Sequence, residues 1–461
     1  MMNLRLKTET LAITMLFLIT IGITNGCARK NNATKKSIET SMLQNTSIEK
    51  IPAIKMMNAV VVRKNELLLI SLNNKTGNVT LDSNGVFSRP LISPNKNYVS
   101  YLKDNVLYIT TDKLDHIKVA DNSQALPFSW QLSFAWQDKN TLLYSPTSGG
   151  LFVYDVINKI SKPYLQNEFN YQNITLDIAG RIYAEKYLYY KKNDSDYIND
   201  YGVIFYDPFT KKEKIVIKSI PSKIDTGGDL GMYPIITGIS KDDKYLYIWK
   251  HPHAGSLAAD GVDLAVYDIL NNKLIEYTNP NMFSLAYSDN MSPNPKNNRY
   301  LALIYGGGRE MFNNKKLVVL DILTGKFQSL SPKEEAAMTP YYLSDGKTIL
   351  YASSEKQKYI PDALNKWLLS GTHHIFSIDS TTKQIKQLTN NRNYFDFSPK
   401  YLNNKDILFF RSDKAGNISI WKYSNGHETM LADGLIFYDD MNYPAQNYYG
   451  HFNTTSFTDI R

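Results

Sequence analysis

From about residue 57 onward, short runs of Tyr, Ile, Val, Leu and Phe alternate with turns built from Asn, Asp, Gly, Lys and Pro. Amphipathic helical periodicity is scarce. An apolar period of two, interrupted every few residues by turn formers, predicts short β-strands joined by tight turns. One turn string recurs: Ser93-Pro94-Asn95-Lys96-Asn97, Trp136-Gln137-Asp138-Lys139-Asn140, Ser240-Lys241-Asp242-Asp243-Lys244, Ser292-Pro293-Asn294-Pro295-Lys296, Leu343-Ser344-Asp345-Gly346-Lys347 and Ser398-Pro399-Lys400, each ahead of an apolar run. A second string follows it: Tyr154-Asp155-Val156-Ile157-Asn158-Lys159, with counterparts beginning at Tyr206, Tyr267, Leu320 and Ile378. The Asp of that string ends a strand, and its carboxylate is placed to accept turn N–H groups.

Each repeat therefore reads as four strands, A to D, with the A–B and C–D turns on one side. The period of about 40–60 residues is that of a propeller blade. The S-P-x-x-K and Y-D-x-x-[NT]-x-K strings resemble those of TolB-like and WD-repeat-like propellers of exported bacterial proteins, over roughly residues 57–440. The resemblance implies an all-β fold, a single β-propeller of four-stranded blades. The last strands fall near Val79, His116, Ile160, Lys214, Leu274, Phe327, Ile385 and Glu428. Eight blades are expected from that count, with seven as the alternative. The first repeat lacks an innermost strand, and the segment Leu435-Ile436-Phe437-Tyr438 is the candidate to supply it. The ring would then be closed by both termini, which removes a free sheet edge.

The first 26 residues follow a different pattern. Arg5 and Lys7 precede fourteen uncharged, mostly apolar residues, Thr10 to Ile23, and then Thr24-Asn25-Gly26-Cys27. A positive start, a short apolar stretch and a small residue before the cut make a secretory signal, too short to span a bilayer comfortably. Cys27, the sole cysteine, directly follows Gly26 as in a lipobox, although Thr24 stands where Leu is usual. The expected organisation is a signal peptide over 1–26, a lipidated Cys27 with a flexible polar tether to residue 56, and a propeller over 57–461. Acylated at Cys27, the protein would sit on the extracytoplasmic face of a cell membrane, and the tether would reach roughly 25–30 Å.

Composition adds little to this picture. A net charge of +8 comes from 52 basic and 44 acidic residues with no long basic block in the folded part, so no nucleic-acid partner is expected. With one cysteine no internal disulfide can form, and a monomeric propeller is expected.

Candidate chemistry lies in four long B–C connections: Lys191 to Tyr201, Lys250 to Val262, Gly306 to Lys315, and Ser353 to His373. Insertions gathered on one face of a repeat array are the expected binding surface. The third offers Arg309 and Glu310 beside flexible glycines, and the fourth offers Tyr359 and Trp367 on its one helical stretch, with His374 at its end. Trp367 serves equally to pack that loop on its blade. His251, His253 and His373 would hold a divalent metal if their loops met, since imidazole suits several transition metals. Ordinary polar surface is the simpler account of them. The chain has no G-x-S-x-G elbow, P-loop or zincin motif, and no cofactor is expected from its motifs. The leading reading is a non-catalytic module that binds an envelope protein, peptide or wall component. A metal-dependent lyase or hydrolase acting on a glycan is the alternative.

Overall fold

The computed structural model describes residues 58–72, 77–111, 113–120, 132–192, 195–223, 228–253, 262–277, 283–284, 288–306, 314–356, 372–402, 406–413, 415–436 and 454–461. The chain divides into two compact units, Met1–Pro52 and Ala53–Arg461, and every described residue belongs to the second. Cys27, Arg309, Glu310, Tyr359 and Trp367 lie outside the described residues.

Apart from Phe283–Ser284, which bridges units 5 and 6, the described strands pair antiparallel in groups of four, and in units 2 to 8 each group follows the chain from an inner to an outer strand. Unit 2 is Phe87–Ile92, Tyr98–Lys103, Val106–Thr111 and His116–Ala120. Unit 3 runs from Phe134–Trp136 to Ile160–Leu165, unit 4 from Asn170–Leu176 to Lys212–Lys218, and unit 5 from Tyr233–Ile239 to Lys273–Glu276. Unit 6 runs from Met291–Pro293 to Phe327–Ser329, unit 7 from Glu335–Tyr342 to Ile385–Gln387, and unit 8 from Phe395–Tyr401 to His427–Leu435. Every last-strand position read from the sequence falls inside a fourth strand. This is a β-propeller.

Unit 1 takes three strands from the start of the folded region, Ala59–Arg63, Glu66–Leu69 and Val79–Ser83. Its inner strand is Thr458–Ile460, paired Ala59↔Ile460 and Val61↔Thr458. Closure from both ends of the chain is as the pattern implies, but the strand is not Leu435–Tyr438. Leu435 instead ends the outer strand of unit 8, where it meets Ile418 and Arg63. The reason is the eight-residue C-terminal stretch: Phe457 packs edge-on against Phe410 and is fully buried, and that anchors the strand that follows it.

The interfaces between units carry the core. Alternate residues of each strand face opposite neighbours: Leu246 and Ile248 pack toward unit 4, whereas Tyr247 and Trp249 pack toward unit 6. The turn chemistry is that expected. Asp155 accepts from Ile157 N and Asn158 N, and Asp207 from Phe209 N and the Thr210 hydroxyl. The stretch Lys191 to Tyr201, expected as a loop, is a hairpin: Ile182–Lys192 and Ser195–Asp207 stay paired to Lys192↔Ser195. Cross-strand aromatic packing carries it outward, with the Tyr190 and Tyr197 rings stacked at 5.4 Å.

Candidate functional site

Five inner strands bulge at the same point, between Ser88 and Leu91, Gln172 and Thr175, Ile236 and Gly238, Met338 and Tyr341, and Phe397 and Lys400. Arg89, Asn173, Thr339 and Ser398 adopt φ of 53°, 47°, 47° and 46° there. Left-handed backbone at non-glycine residues is strained, and such bulges re-aim side chains at functional surfaces. On one half of the ring these positions are tied together. Asp289 Oδ2 accepts from Ser398 Oγ (2.9 Å) and Thr454 N (3.1 Å). Asn290 Oδ1 accepts from Thr339 N, and Ser398 N donates to Thr339 Oγ1. Inner residues of units 6, 7 and 8 and the C-terminal segment thus form one buried polar knot.

The other half is open. A cavity of about 660 Å³ is lined by Leu91 of unit 2, by inner-strand and turn residues of units 3, 4 and 5, by Trp249 and His251 of the second strand of unit 5, and by Thr455 and Arg461. Phe134, Trp136, Ile174, Ile235 and Trp249 make its apolar wall, and Asn173, Thr237 and His251 its polar points. Exposed Ile178 and Lys241, together with Gln137, Asp243 and Arg461, stand at its A–B turn end. Two buried polar atoms on the wall have no protein partner, Trp249 Nε1 and Thr237 Oγ1. A buried donor left unsatisfied costs about 1–3 kcal/mol, so these two lining residues carry polar capacity that the protein itself does not use.

Behind this wall lies a group of titratable side chains. Glu185, on the second strand of unit 4, is buried; its Oε1 accepts from Ile236 N (2.6 Å) and Asn173 Nδ2 (2.9 Å), and its Oε2 from Gln172 Nε2 (3.0 Å). Asn173 Nδ2 also donates to Ile236 O, so one carboxyl staples the inner strands of units 4 and 5. Burial pushes the Glu185 carboxyl up to about 8, and Asp200 to about 6. His251 is buried with its ring 4.6 Å from that of Tyr233, and its Nδ1 lies 2.8 Å from Pro252 O. Desolvation lowers its pKa to about 4, so the ring is neutral at pH 7. At pH 7 the wall is thus backed by Glu185 and His251 in their uncharged forms.

No protein-family model matches the chain, and no curated protein matches it. Solved structures do. The putative TolB from Agrobacterium tumefaciens is similar at 11% identity over 82% of this chain and 89% of that one, with a TM-score of 0.36. An oligogalacturonate lyase in complex with manganese is 11% identical over 76% and 86%, TM-score 0.43. Dipeptidyl peptidase 4 of Porphyromonas gingivalis is 11% identical over 85% of this chain and 61% of its own, TM-score 0.49. The fold is a β-propeller. Likeness at this level concerns fold; the strand pairing above carries the assignment.

The structure separates the histidines singled out in the sequence. His251 and His253 share the Tyr233 ring, and His253 Nε2 lies 3.0 Å from Ile220 O. His373 and His374 belong to a staple between units 7 and 8. The His373 ring lies 3.9 Å from that of Phe395, tilted by 38°, and the two residues form a parallel backbone bridge. Asn391 Nδ2 donates to His373 O and lies 3.5 Å from His374 Nδ1. Beside them Arg411 makes two bonds to Asp396 (2.6 and 2.9 Å), reaches Glu428, and lies over the Trp421 ring. Among the described residues no three His, Cys, Asp or Glu side chains come together to hold a metal. The sequence reading missed Glu185, Asp200, Thr237 and Trp249. Glu185 carried a signal in retrospect, as a charge inside the apolar strand IYAEKYLYY.

Proposed function

We propose that the protein is a lipid-anchored extracytoplasmic binding module whose ligand enters the axial cavity between units 2 and 5. The observation that carries this reading is the pair of unsatisfied buried atoms, Trp249 Nε1 and Thr237 Oγ1, on the wall of a cavity large enough for a short peptide segment or a sugar unit. Propeller neighbours that include TolB fit an envelope setting. A secretory leader ending at Gly26-Cys27 supplies the route out and the anchor. Among the described residues no helix is long and apolar enough to cross a membrane. The ligand is a protein, peptide or wall component, bound without turnover. Binding through the long B–C connections, the surface expected from the sequence, is the second site that the test includes.

The test is a cross-linking pull-down from solubilised envelope with three baits: the chain from Ala28, the same chain with Thr237→Trp to fill the cavity, and the same chain without residues 353–372. A component retained by the first and lost with Thr237→Trp supports the cavity. Loss only on removing 353–372 moves the site to the rim, and equal retention by all three refutes specific binding at either place. Anchoring is checked separately: palmitate incorporation in the parent chain, abolished by Cys27→Ser.

A further inference from the structure

Four consecutive units carry a large apolar side chain at the same exposed point. Two residues after the strand-ending Asp of the C–D turn stand Ile157, Phe209, Leu270 and Leu323, exposed by 61%, 80%, 73% and 50%. The residue between behaves differently: Val156 and Ile322 are buried core. Ile178, in the A–B turn of unit 4 on the same side, is 93% exposed. Single exposed apolar residues need no explanation, but recurrence at one register position across units 3 to 6 is a patterned surface.

Charge follows the same face. The A–B and C–D turns of these four units hold eleven basic side chains against eight acidic ones. Most of the acids sit low in the turns, half-buried or buried and bonded to turn N–H groups, as Asp155, Asp207, Asp243 and Asp321 are. Lys139, Lys159, Lys211, Lys212, Lys241 and Lys296 are exposed. The outermost layer of the face is therefore apolar tips among lysines, with Asp138 and Asp242 as its exposed acids.

Asn58, the first described residue, precedes the second strand of unit 1, and its Oδ1 accepts from Lys96 Nζ of the unit 2 A–B turn. Its backbone oxygen accepts from Arg461 N at the end of the closing strand. Asn58 therefore lies on the A–B and C–D turn face.

We propose that the turn face of units 3 to 6 docks on an anionic phospholipid bilayer, with Ile157, Phe209, Leu270 and Leu323 inserting at the headgroup boundary and the surrounding lysines meeting lipid phosphates. The choice of a bilayer rests on the lipid-anchored reading, which sets this face within the tether's reach of the membrane. Apolar insertion combined with basic charge is the chemistry that holds peripheral proteins at anionic interfaces, and neither suffices alone.

The described fold lies within residues 58–461, so a chain beginning at Ala28 keeps it while lacking leader and acyl groups; it is mixed with vesicles of phosphatidylcholine alone or with one-third phosphatidylglycerol. At low salt the expected result is partition onto the anionic vesicles stronger by about tenfold or more. In a Phe209→Trp version, tryptophan emission shifts to the blue only with those vesicles. Replacing Ile157, Phe209, Leu270 and Leu323 together by Ser abolishes the preference with an unchanged melting curve, and Lys211→Glu with Lys212→Glu weakens it several-fold. Equal partition on both vesicle types, or an apolar-to-Ser variant that binds as well as the parent, overturns the proposal. So does vesicle-independent self-association removed by the Ser substitutions, which would assign the face to a second copy. Because the chain used is unlipidated, failure here with intact palmitate labelling of the parent separates this proposal from the anchor.

Discussion

At the scale of single residues, burial determines which charges survive. Glu185 has its pKa raised in the fold to about 8 from an ordinary value near 4.5. Above 4.5 the unfolded chain ionises this group while the folded chain does not, so stability falls as pH rises, and the loss is complete near pH 8. Urea titrations between pH 5 and 8 should give a falling stability with a slope of at most about 1.4 kcal/mol per pH unit from this site, and Glu185→Gln should flatten it. His251 works in the other direction. Its pKa is lowered to about 4, so acidification from pH 6.5 charges the unfolded chain first and destabilises the fold. Arg411 and Asp396 are paired, buried and bonded on nearly every polar atom. Arg411→Ala leaves the Asp396 carboxylate buried without its cation, for an expected loss of about 3–5 kcal/mol in urea denaturation.

Among the elements, the bulged inner strands are the least predictable. Thr339 is β-branched yet left-handed, a conformation that costs about 1–2 kcal/mol. Its hydroxyl repays part of that by accepting from Ser398 N. Thr339→Gly relieves the backbone and Thr339→Ala does not, so the Gly variant should be the more stable by about 1 kcal/mol in thermal or urea unfolding. If Ala proves the better of the two, the bulge is not strained. No local signal marks these bulges, because Ser-Pro and Thr-Pro strings read equally well as turns. The unit 4 hairpin was misread for the opposite reason. Its polar tip KKNDSDYIND suggests a loop, while the pairing of Tyr190 with Tyr197 is a cross-strand effect.

For the whole molecule, closure is the controlling feature. Thr458–Ile460 is the inner strand of unit 1, and Asp459 Oδ2 also accepts from Ile92 N of unit 2. Ending the chain at Phe457 removes this latch and exposes the edge of Ala59–Arg63. The truncated protein should lose its cooperative melting transition, be cut early by protease near residues 59–83, and aggregate on size exclusion. A truncated chain that melts like the parent would mean that the unit 8 to unit 1 contact alone holds the ring. Much of this architecture was legible in the chain. Period-two apolar runs, S-P-x-x-K turns and strand-ending Asp residues act through nearest neighbours, so the sequence alone determined the strands, their turns and the propeller class. The closing strand, the polar knot around Asp289 and the wall of Trp249, Thr237 and Glu185 join residues tens to hundreds of positions apart. Which side chains lose water is a property of the assembled ring. Tertiary structure alone therefore decided where the cavity lies, which carboxyls stay neutral, and that His251 and His373 serve different units.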